Sequence, residues 1–406
     1  MKLLQINSTA NWGSTGRIAE QIGNVAISLG WDSYIAYGRY ANKSNSRLIK
    51  IGNKVDSAWH LMCSRLFDCQ GLCSRKATKR FVEQIEHIKP DLIHLHNIHG
   101  YYLNYEILFK YLRNTGIPVV WTLHDCWTFT GHCAHFSYNK CEKWKNECKE
   151  CPLKGEYPSS LLLDRSRKNF LCKKGHFSSL ENMAVVSVSK WLDSMVDASF
   201  LTDKQRHVIY NGINVEVFSP MTDIDELREK YNLQNKKVLI GVASVWDKYK
   251  GYDDYLRLHE MLPDNTQLIM VGLSEKQLNA LPKGIIGLQR TQNVEALVKL
   301  YSLADIVLNL SYQETFGLTT VEGFACGTPG VVYNKTASPE LIDESCGKIV
   351  EAGNMEQLLS AITEILSKGK SHYSHACRQR AVALYNKDDR YEDYIKLYES
   401  LIGSSH

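Results

Sequence analysis

Two carboxylates, Glu314 and Glu322, flank the start of a short predicted helix within the segment 304–332, ADIVLNLSYQETFGLTTVEGFACGTPGVV. A carboxylate binds phosphate poorly but accepts hydrogen bonds from pairs of sugar hydroxyls. The N–H groups at a helix start, here those of Gly317 and Leu318, favour an anion such as phosphate. Amides and acids in one short segment therefore fit a nucleotide-linked sugar.

The elements around these acids predict a βαβ unit. An apolar run at 305–310 predicts a buried strand, a helix is expected from Thr319 or Thr320 to about 327–329, and a second strand follows at 330–333. The loop between them lies at the carboxyl end of a parallel strand, where open α/β sheets bind ligands. A purely structural interpretation stays open, in which Glu322 forms a capping box with Thr319 and Glu314 is a solvated loop acid.

The longer pattern E-T-F-G-L-x-x-V-E-G-x-A-C-G-T-P, which begins at Glu314, resembles the donor-sugar signature of the retaining glycosyltransferases of family 4. The resemblance implies the GT-B fold, an α/β architecture of two Rossmann-like domains with parallel sheets facing a central cleft. It also implies that Glu322 binds the ribose, and that Glu314 binds the sugar together with the backbone of Phe316 and Gly317.

A glycine-containing loop follows the first predicted strand, in STANWGSTGR. It lies between a strand and a helix, where phosphates are often held. It is neither G-x-G-x-x-G nor a P-loop, so dinucleotide-binding and NTPase sites are disfavoured, and a plain βα turn remains an alternative. In the family that the signature resembles, a similar loop brings a backbone amide to the donor's diphosphate, and Gly13 and Gly16 match it.

His124 and Asp125 follow the predicted strand VVWTL. Adjacent side chains on an extended segment point to opposite sides, so a His–Asp charge relay is not expected. The family resemblance makes His124 a contact of the donor sugar near the reacting carbon. The polar aromatic loop at 96–102 is expected to help form the acceptor site.

Two lysines follow the strand predicted at 237–243. The family uses an arginine and a lysine there to hold the leaving diphosphate, and Lys250-Gly251 matches the lysine, but Val245 stands where the arginine is expected. Lys248 is the candidate substitute, although an ammonium lacks the bidentate grip of a guanidinium. The segment 290–294 occupies the place that usually frames the base. The Asp223-Ile224-Asp225 triplet is interpreted as the acidic start of a helix, not as a metal–diphosphate site.

Four cysteines lie close together in the sequence, at Cys133, Cys141, Cys148 and Cys151. They are candidate ligands of a structural Zn²⁺. Unpaired buried thiols and a redox pair of Cys148 with Cys151 are the alternatives. The family resemblance includes a similar cysteine-containing insert.

Composition sets broad limits. The 406 residues are 44% hydrophobic and 23% charged, with a formal net charge of +4, which indicates a globular protein and gives no reason to expect nucleic-acid binding. The amino-terminal residues lack a signal-peptide pattern, and no apolar run reaches the length of a membrane span. The expected location is the cytoplasm. The basic helical stretch at 55–88 could rest on an anionic inner membrane, although packing on one face with solvated charges on the other is favoured.

The predicted organisation is an acceptor-side domain at 1–210 with a cysteine-rich insert at 126–155, and a nucleotide-sugar domain at 211–387. A final helix at 388–406 is expected to pack back on the first domain, and the polar stretch 367–375 is expected to be a loop.

The predicted function is a retaining, metal-independent glycosyltransferase of the hexosyltransferase type. Its donor would be a UDP-, GDP- or ADP-sugar, and its acceptor a glycan or a lipid-linked acceptor in polysaccharide biosynthesis. A nucleotide-sugar epimerase or hydrolase and a non-enzymatic glycan-binding scaffold are the alternatives.

Overall fold

The computed structural model describes residues 1–403, and the chain forms two compact units. Unit 1 contains Met1–Ile209 together with the chain from Arg390 onward, and unit 2 contains Tyr210–Asp389. Each unit is an α/β structure built on its own parallel sheet, which confirms the predicted fold class.

Unit 1 is built on a sheet of seven parallel strands. Its strands are β1 (Lys2–Asn7), β2 (Asp32–Tyr37), β3 (Arg47–Lys50), β4 (Leu92–Leu95), β5 (Val119–Leu123), β6 (Met183–Ser187) and β7 (Gln205–Val208). Their order across the sheet is β3-β2-β1-β4-β5-β6-β7. The central strands β4, β5 and β6 are buried along their whole length, as expected for parallel strands covered by helices on both faces.

Six helices connect these strands and cover the sheet. They are α1 (Gly13–Ser28), α2 (Lys54–Phe67), α3 (Arg75–Ile88), α4 (Tyr105–Thr115), α5 (Ser166–Phe177) and α6 (Lys190–Asp197). Side chains of Asn53, Asn104 and Ser189 accept hydrogen bonds from first-turn N–H groups of α2, α4 and α6. These caps satisfy donors that a helix start leaves unpaired, which fixes where the helices begin.

Unit 2 contains six parallel strands. They are β8 (Lys237–Val242), β9 (Thr266–Val271), β10 (Ile286–Leu288), β11 (Ile306–Asn309), β12 (Gly330–Tyr333) and β13 (Gly347–Val350). Their order is β10-β9-β8-β11-β12-β13. In both sheets the chain adds strands outward on one side of the first strand and then crosses to its other side. The crossing creates a switch point, between β1 and β4 in unit 1 and between β8 and β11 in unit 2, where ligands bind in such sheets.

The helices of unit 2 surround this sheet. They are α7 (Asp225–Lys230), α8 (Tyr252–Met261), α9 (Glu275–Asn279), α10 (Val294–Leu303), α11 (Leu318–Ala325), α12 (Met355–Lys368) and α13 (Lys370–Tyr385). The last helix of the chain is α14 (Lys387–Gly403). Its residues Tyr391, Tyr394 and Tyr398 are buried in the unit 1 core beside Leu3 and Ile22.

Two expectations about helices are corrected. The polar stretch 367–375 is not a loop, because α12 and α13 are separated by Gly369 alone. The basic stretch 55–88 is two helices, α2 and α3, since the chain turns through a left-handed conformation at Asp68 and again at Ser74.

Within residues 1–403, no helix has both the length and the apolar character needed to span a bilayer.

Candidate active site

An ion pair marks the switch point of the unit 2 sheet. The Nζ of Lys250, in the loop after β8, lies 2.5 Å from Oε2 of Glu314, in the loop after β11. Both side chains are partly shielded from solvent, with 32% and 18% of their surface exposed. These two predicted site residues are 64 positions apart in sequence. Strand order brings them together, because β8 and β11 are neighbours in the sheet.

The two loops are joined by their backbones as well. The N–H of Tyr312 donates to the carbonyl of Tyr249 at 2.8 Å. Gly251 adopts a positive φ of 71°, and a Cβ there would lie 2.3 Å from the carbonyl oxygen of Leu310. Only glycine permits so close an approach. The side chain of Asp247 accepts from the N–H groups of Tyr249 and Lys250, which orders the short 3-10 turn that carries the lysine.

The helix α11 begins four residues after Glu314, at Leu318. Its N-cap is Gly317 at a φ of 105°. The first-turn N–H groups of a helix lack intrahelical partners and carry a partial positive charge. Lys250 and this helix start therefore supply positive potential on the same side of the sheet as Glu314. Phe316 itself is buried against Tyr210 and Tyr385, so its side chain anchors the loop and only its backbone is a candidate ligand.

Glu322 lies on α11 and does not close a capping box with Thr319. The N-cap is Gly317, and no side-chain hydrogen bond caps this helix. Oε2 of Glu322 instead accepts a hydrogen bond at 3.0 Å from the hydroxyl of Tyr301, which is fully buried. The structural alternative for Glu322 is thus removed, and the carboxylate is oriented by a tyrosine that the sequence did not single out.

A cavity of about 750 Å³ opens at the carboxyl ends of β8, β9 and β10. Its wall includes Trp246, Tyr252, Gln277 and Arg290. The Trp246 indole donates to the carbonyl of Val271 and the Gln277 amide donates to the carbonyl of Trp246, so the wall is held in place. The cavity belongs to the same β8 loop that carries Lys250. Of these four wall residues, only Arg290 lies in the segment predicted to frame the base, because the loop after β8 was predicted only for its lysines and α9 carries no motif.

The other unit 2 positions that the sequence offered as diphosphate or metal ligands lie outside the Lys250–Glu314 pair. Val245, at the position of the expected arginine, is 66% exposed and lines the cavity. Lys248 is exposed, with its Nζ 4.8 Å from the ring centroid of Tyr249. Asp225 lies in the first turn of α7 and Asp223 pairs with Lys299 at 3.1 Å, as an acidic helix start would.

In unit 1, His124 belongs to a chain of hydrogen-bonded rings at the carboxyl ends of β4 and β5. The Nε2 of His124 lies 3.2 Å from Nδ1 of His96, whose Nε2 lies 3.1 Å from Oε1 of Gln5. The Gln5 oxygen can only accept, so neutral His96 carries its proton on Nε2 and must accept at Nδ1. The donor is then Nε2–H of His124, which leaves Nδ1 of His124 as an acceptor for a hydroxyl.

Burial keeps these histidine rings neutral. Desolvation lowers the pKa of His124 to about 4 and lowers the pKa values of His94 and His96 well below their usual range. His94 is held by the hydroxyl of Tyr398 on α14 at 2.6 Å and by Thr122 at 2.8 Å. The histidine rings at the unit 1 switch point therefore offer neutral hydrogen-bonding groups.

Asp125 pairs with a different histidine. Its Oδ2 lies 2.8 Å from Nε2 of His99, and its Oδ1 accepts from the N–H of Trp127. Burial alone would raise the pKa of Asp125, but the His99 interaction and these hydrogen bonds hold it well below its usual range. The absence of a His124–Asp125 relay agrees with the expectation from the extended backbone.

The glycine loop of unit 1 contains one glycine with a packing role. Gly13 is the exposed first residue of α1, whereas Gly16 is buried, and a Cβ on it would lie 2.7 Å from Oγ1 of Thr9. Diphosphate contact by Gly13 and Gly16 stays a prediction from the resemblance.

The cysteine-rich insert does not show the arrangement that the zinc hypothesis requires. Cys133, Cys141, Cys148 and Cys151 line one small space of about 10 Å³. Among the described residues, however, no three of their sulfurs lie within 4.8 Å of one another. Zinc binding by these cysteines is therefore not supported. Buried polar contacts hold the insert instead, since His132 pairs with Asp68 at 2.6 Å and Lys173 donates to two backbone carbonyls.

Comparisons with known proteins agree with this geometry. Residues 223–382 match the family model described as "Glycosyl transferases group 1", and residues 28–217 match the one described as "Glycosyltransferase Family 4". The chain is 22% identical over 419 residues to the Escherichia coli protein named as a colanic acid biosynthesis glycosyl transferase, WcaC, covering 99% of this chain and 100% of that protein.

Solved structures share the fold along nearly the whole chain. Sucrose-phosphate synthase from Thermosynechococcus elongatus superposes with a TM-score of 0.72 at 18% identity, covering 99% of both chains. HepE from Anabaena, solved with UDP-glucose, superposes with a TM-score of 0.67 at 16% identity, covering 98% of this chain and 100% of that one.

The enzymatic interpretation is confirmed, and the non-enzymatic scaffold is set aside. The two family models account for most of the chain, and the shared fold is GT-B. The chain is a glycosyltransferase of the GT-B fold, and its residues 223–382 match the group 1 family.

Proposed function

We propose that the protein transfers a sugar, with retention of anomeric configuration, from a nucleotide-sugar donor to a glycan or lipid-linked acceptor during polysaccharide assembly. The observation that carries this proposal is the Lys250–Glu314 pair beside the start of α11. The E. coli relative named for colanic acid biosynthesis and the HepE structure with UDP-glucose support the pathway and the donor class.

Unit 2 can accommodate each part of such a donor. The cavity beside Trp246 and Arg290 has the size and lining for a base, since ligand pockets of roughly 300–1,000 Å³ are typical. The start of α11 and Lys250 suit the diphosphate, with Lys248 as a second, exposed cation. Glu322 would accept hydrogen bonds from the ribose, and Glu314 from the sugar.

These residues would act on the reaction mainly through electrostatic interactions. The bond between the anomeric carbon and the phosphate oxygen breaks, and the acceptor oxygen bonds to that carbon on the same face. The acceptor proton passes to the departing phosphate oxygen. Lys250 and the helix start would stabilise the charge that develops on the diphosphate, and Glu314 would orient the sugar as it acquires oxocarbenium character. No protein nucleophile is required, and His124 would serve as a neutral acceptor of a sugar hydroxyl.

Ligand-induced thermal stabilisation is the first test. UDP, GDP and ADP are added separately to the purified chain, and the midpoint of unfolding is measured. A ligand that binds only the native state must raise it, so one nucleotide should stabilise more than the others, and Lys250→Met should reduce that effect. The donor sugar of the selected nucleotide is then supplied with an acceptor, and NMR of the product reports the anomer.

Failure of all three nucleotides to stabilise the chain would contradict a nucleotide-sugar donor. An inverted anomer would overturn retention alone. Turnover of the donor without any acceptor, at a rate equal to that with acceptor, would instead favour the hydrolase alternative.

We also propose peripheral contact of unit 1 with an anionic membrane, where a lipid-linked acceptor would reside. Trp59 on α2 is 58% exposed, and Leu161 and Leu162 are 64% and 62% exposed. These leucines adjoin α2, because the N–H of Leu161 donates to the carbonyl of Arg65. Apolar side chains beside a basic residue fit an anionic lipid surface. The exposure of Trp59 departs from the favoured expectation that the apolar residues of 55–88 are packed inside the protein.

Vesicle flotation tests this contact. Vesicles with anionic lipid should carry the protein, and the double variant Trp59→Ser/Leu162→Ser should stay in solution while its donor hydrolysis is unchanged. Equal flotation of the variant and the unmodified chain would refute the proposed surface.

A further inference from the structure

The helices α4 and α5 bring together three side chains that can bind a metal. Ligand atoms of Glu106, Cys172 and His176 all lie within 4.8 Å of one another. No sequence motif groups them, because Glu106 is 66 positions from Cys172. None of the three belongs to the site described above.

Their local geometry suits one ion. Cys172 and His176 are four residues apart on α5, so both project from the same face of the helix. Glu106 lies in the first turn of α4. Sγ of Cys172 is 3.2 Å from Oε1 of Glu106. Two such ligands on a tetrahedral Zn²⁺ would be separated by about 3.6 Å, from Zn–S and Zn–O distances of about 2.3 and 2.1 Å.

Neighbouring groups orient the ligands. Nη1 of Arg75 lies 3.3 Å from Oε2 of Glu106, which leaves Oε1 directed at Cys172. Such outer contacts commonly fix ligand carboxylates. Nδ1 of His176 is buried, and within residues 1–403 it has no hydrogen-bond partner.

We propose that Glu106, Cys172 and His176 form a Zn²⁺ site that links α4 to α5. Thiolate, imidazole and carboxylate are the three ligand types that Zn²⁺ accepts in proteins. The side chain of Glu106 is 35% exposed, so water can occupy the fourth position. The ion would hold the helix that follows the cysteine-rich insert against its neighbour. This proposal does not depend on the donor or the acceptor of the transferase.

Metal titration of the purified full chain tests the site. The chain is stripped with a chelator and titrated with Zn²⁺ by calorimetry and with Co²⁺ by absorption, where thiolate–cobalt charge transfer reports a cysteine ligand. We expect one ion per chain. Cys172→Ser and His176→Ala should each weaken binding by at least about 100-fold, more than the loss of an outer contact usually costs.

Cys148→Ser, a change of the same kind in the cysteine-rich insert, is the matched control and should bind as the unmodified chain does. Binding that survives Cys172→Ser, binding lost in Cys148→Ser, or no binding by the unmodified chain would each overturn the proposal. Circular dichroism establishes that the variants fold. If Cys172→Ser does not fold, Glu106→Gln is measured in its place, and unchanged binding by that variant counts equally against the site.

Discussion

The two units share one strand order and present opposite chemistry at the place where that order reverses. At the unit 2 switch point, Lys250 and Glu314 form an ion pair beside a helix start. At the unit 1 switch point, His96 and His124 are neutral rings joined by hydrogen bonds. Topology therefore decides where a ligand can bind, whereas the side chains of a few loops decide whether the site attracts charge.

This difference in charge matches the different ligands proposed for the two units. A diphosphate needs positive potential, and unit 2 supplies it. An uncharged glycan hydroxyl needs an oriented acceptor. His124 supplies one at Nδ1, because its Nε2–H donates to His96. The following changes test this contrast between the two units, in order of decreasing effect.

Glu314→Gln removes the negative charge at the unit 2 switch point while preserving the shape of the side chain. We expect kcat for sugar transfer to fall by roughly 10²–10³-fold, a loss typical of removing one group that stabilises developing charge. Steady-state assays with the identified donor measure it. Glu351→Gln, which changes an exposed acid paired with Asn334, is the control and should transfer at the normal rate. Unchanged transfer by Glu314→Gln would remove Glu314 from the active site.

Acidification should destabilise unit 1 before unit 2. Burial lowers the pKa of His60 to about 3 and of His124 to about 4, and those of His94 and His96 also fall. The unfolded histidines bind protons near pH 6.5, so below that value the unfolded state binds more protons and the free energy of unfolding falls. Each such group can cost up to about 1.4 kcal/mol per pH unit, until its folded pKa is reached.

His132 acts in the opposite sense. Burial alone would lower its pKa, but the hydrogen bond and charge of Asp68 raise it, so its contribution is present at low pH and is lost as the pH rises through the folded pKa. Hydrogen-exchange pulse labelling after equilibration at pH 7 and pH 5 measures the net effect in each unit. His60→Gln should reduce the pH dependence of hydrogen-exchange protection in unit 1. His87→Gln, which changes an exposed histidine, should leave that pH dependence as it is. Earlier loss of protection in unit 2 would contradict the contrast.

Lys250→Met removes the cation but keeps an unbranched side chain that is one atom shorter. Affinity for the preferred nucleoside diphosphate should fall by about 30-fold, which corresponds to about 2 kcal/mol for a hydrogen bond to a charged group. Calorimetry measures it. Lys348→Met, at a lysine that pairs with Glu364, is the matched control. A diphosphate affinity equal to that of the control would place the anion away from Lys250.

Gly251→Ala tests the backbone contact that brings the unit 2 loops together. The new Cβ would meet the carbonyl oxygen of Leu310 at 2.3 Å, so we expect a loss of about 1–3 kcal/mol in the free energy of unfolding. Gly116→Ala in unit 1 has a similar φ of 69° and no atom within 4 Å of its Cβ. Gly116→Ala therefore measures only the cost of placing a Cβ at a positive φ. Urea unfolding compares the free energies of unfolding of the two variants. Equal losses would show that the contact with Leu310 relaxes.

Much of the fold could be predicted from the chain. The strands β1, β5, β8 and β11 are apolar runs that parallel sheets bury, and each is predicted from the sequence. The edge strands β3 and β7 were missed, because RLIK and QRHV are partly exposed and carry no apolar run. The helix α13 was missed because its start is polar, although Tyr373, Cys377, Ala381 and Tyr385 repeat every four residues and are all buried.

The cysteines show where local spacing misleads. Four of them are close in sequence and predict a zinc site, yet their sulfurs are not grouped as ligands. Glu106, Cys172 and His176 are grouped because α4 and α5 pack together. Proximity along the chain is a weak guide to proximity of side-chain tips, whose positions depend on rotamers and on helix packing.

The amino-acid sequence alone predicts the strand–helix alternation, the glycosyltransferase signature at Glu314 and Glu322, and the departure at Val245. Those features are local, since periodicity, glycine positions and helix starts act over a few residues. Three pairings appear only in the folded chain: Lys250 with Glu314, Tyr301 with Glu322, and His124 with His96. Such pairings depend on which strands become neighbours, and strand order is set by the packing of the whole sheet, which no short segment encodes.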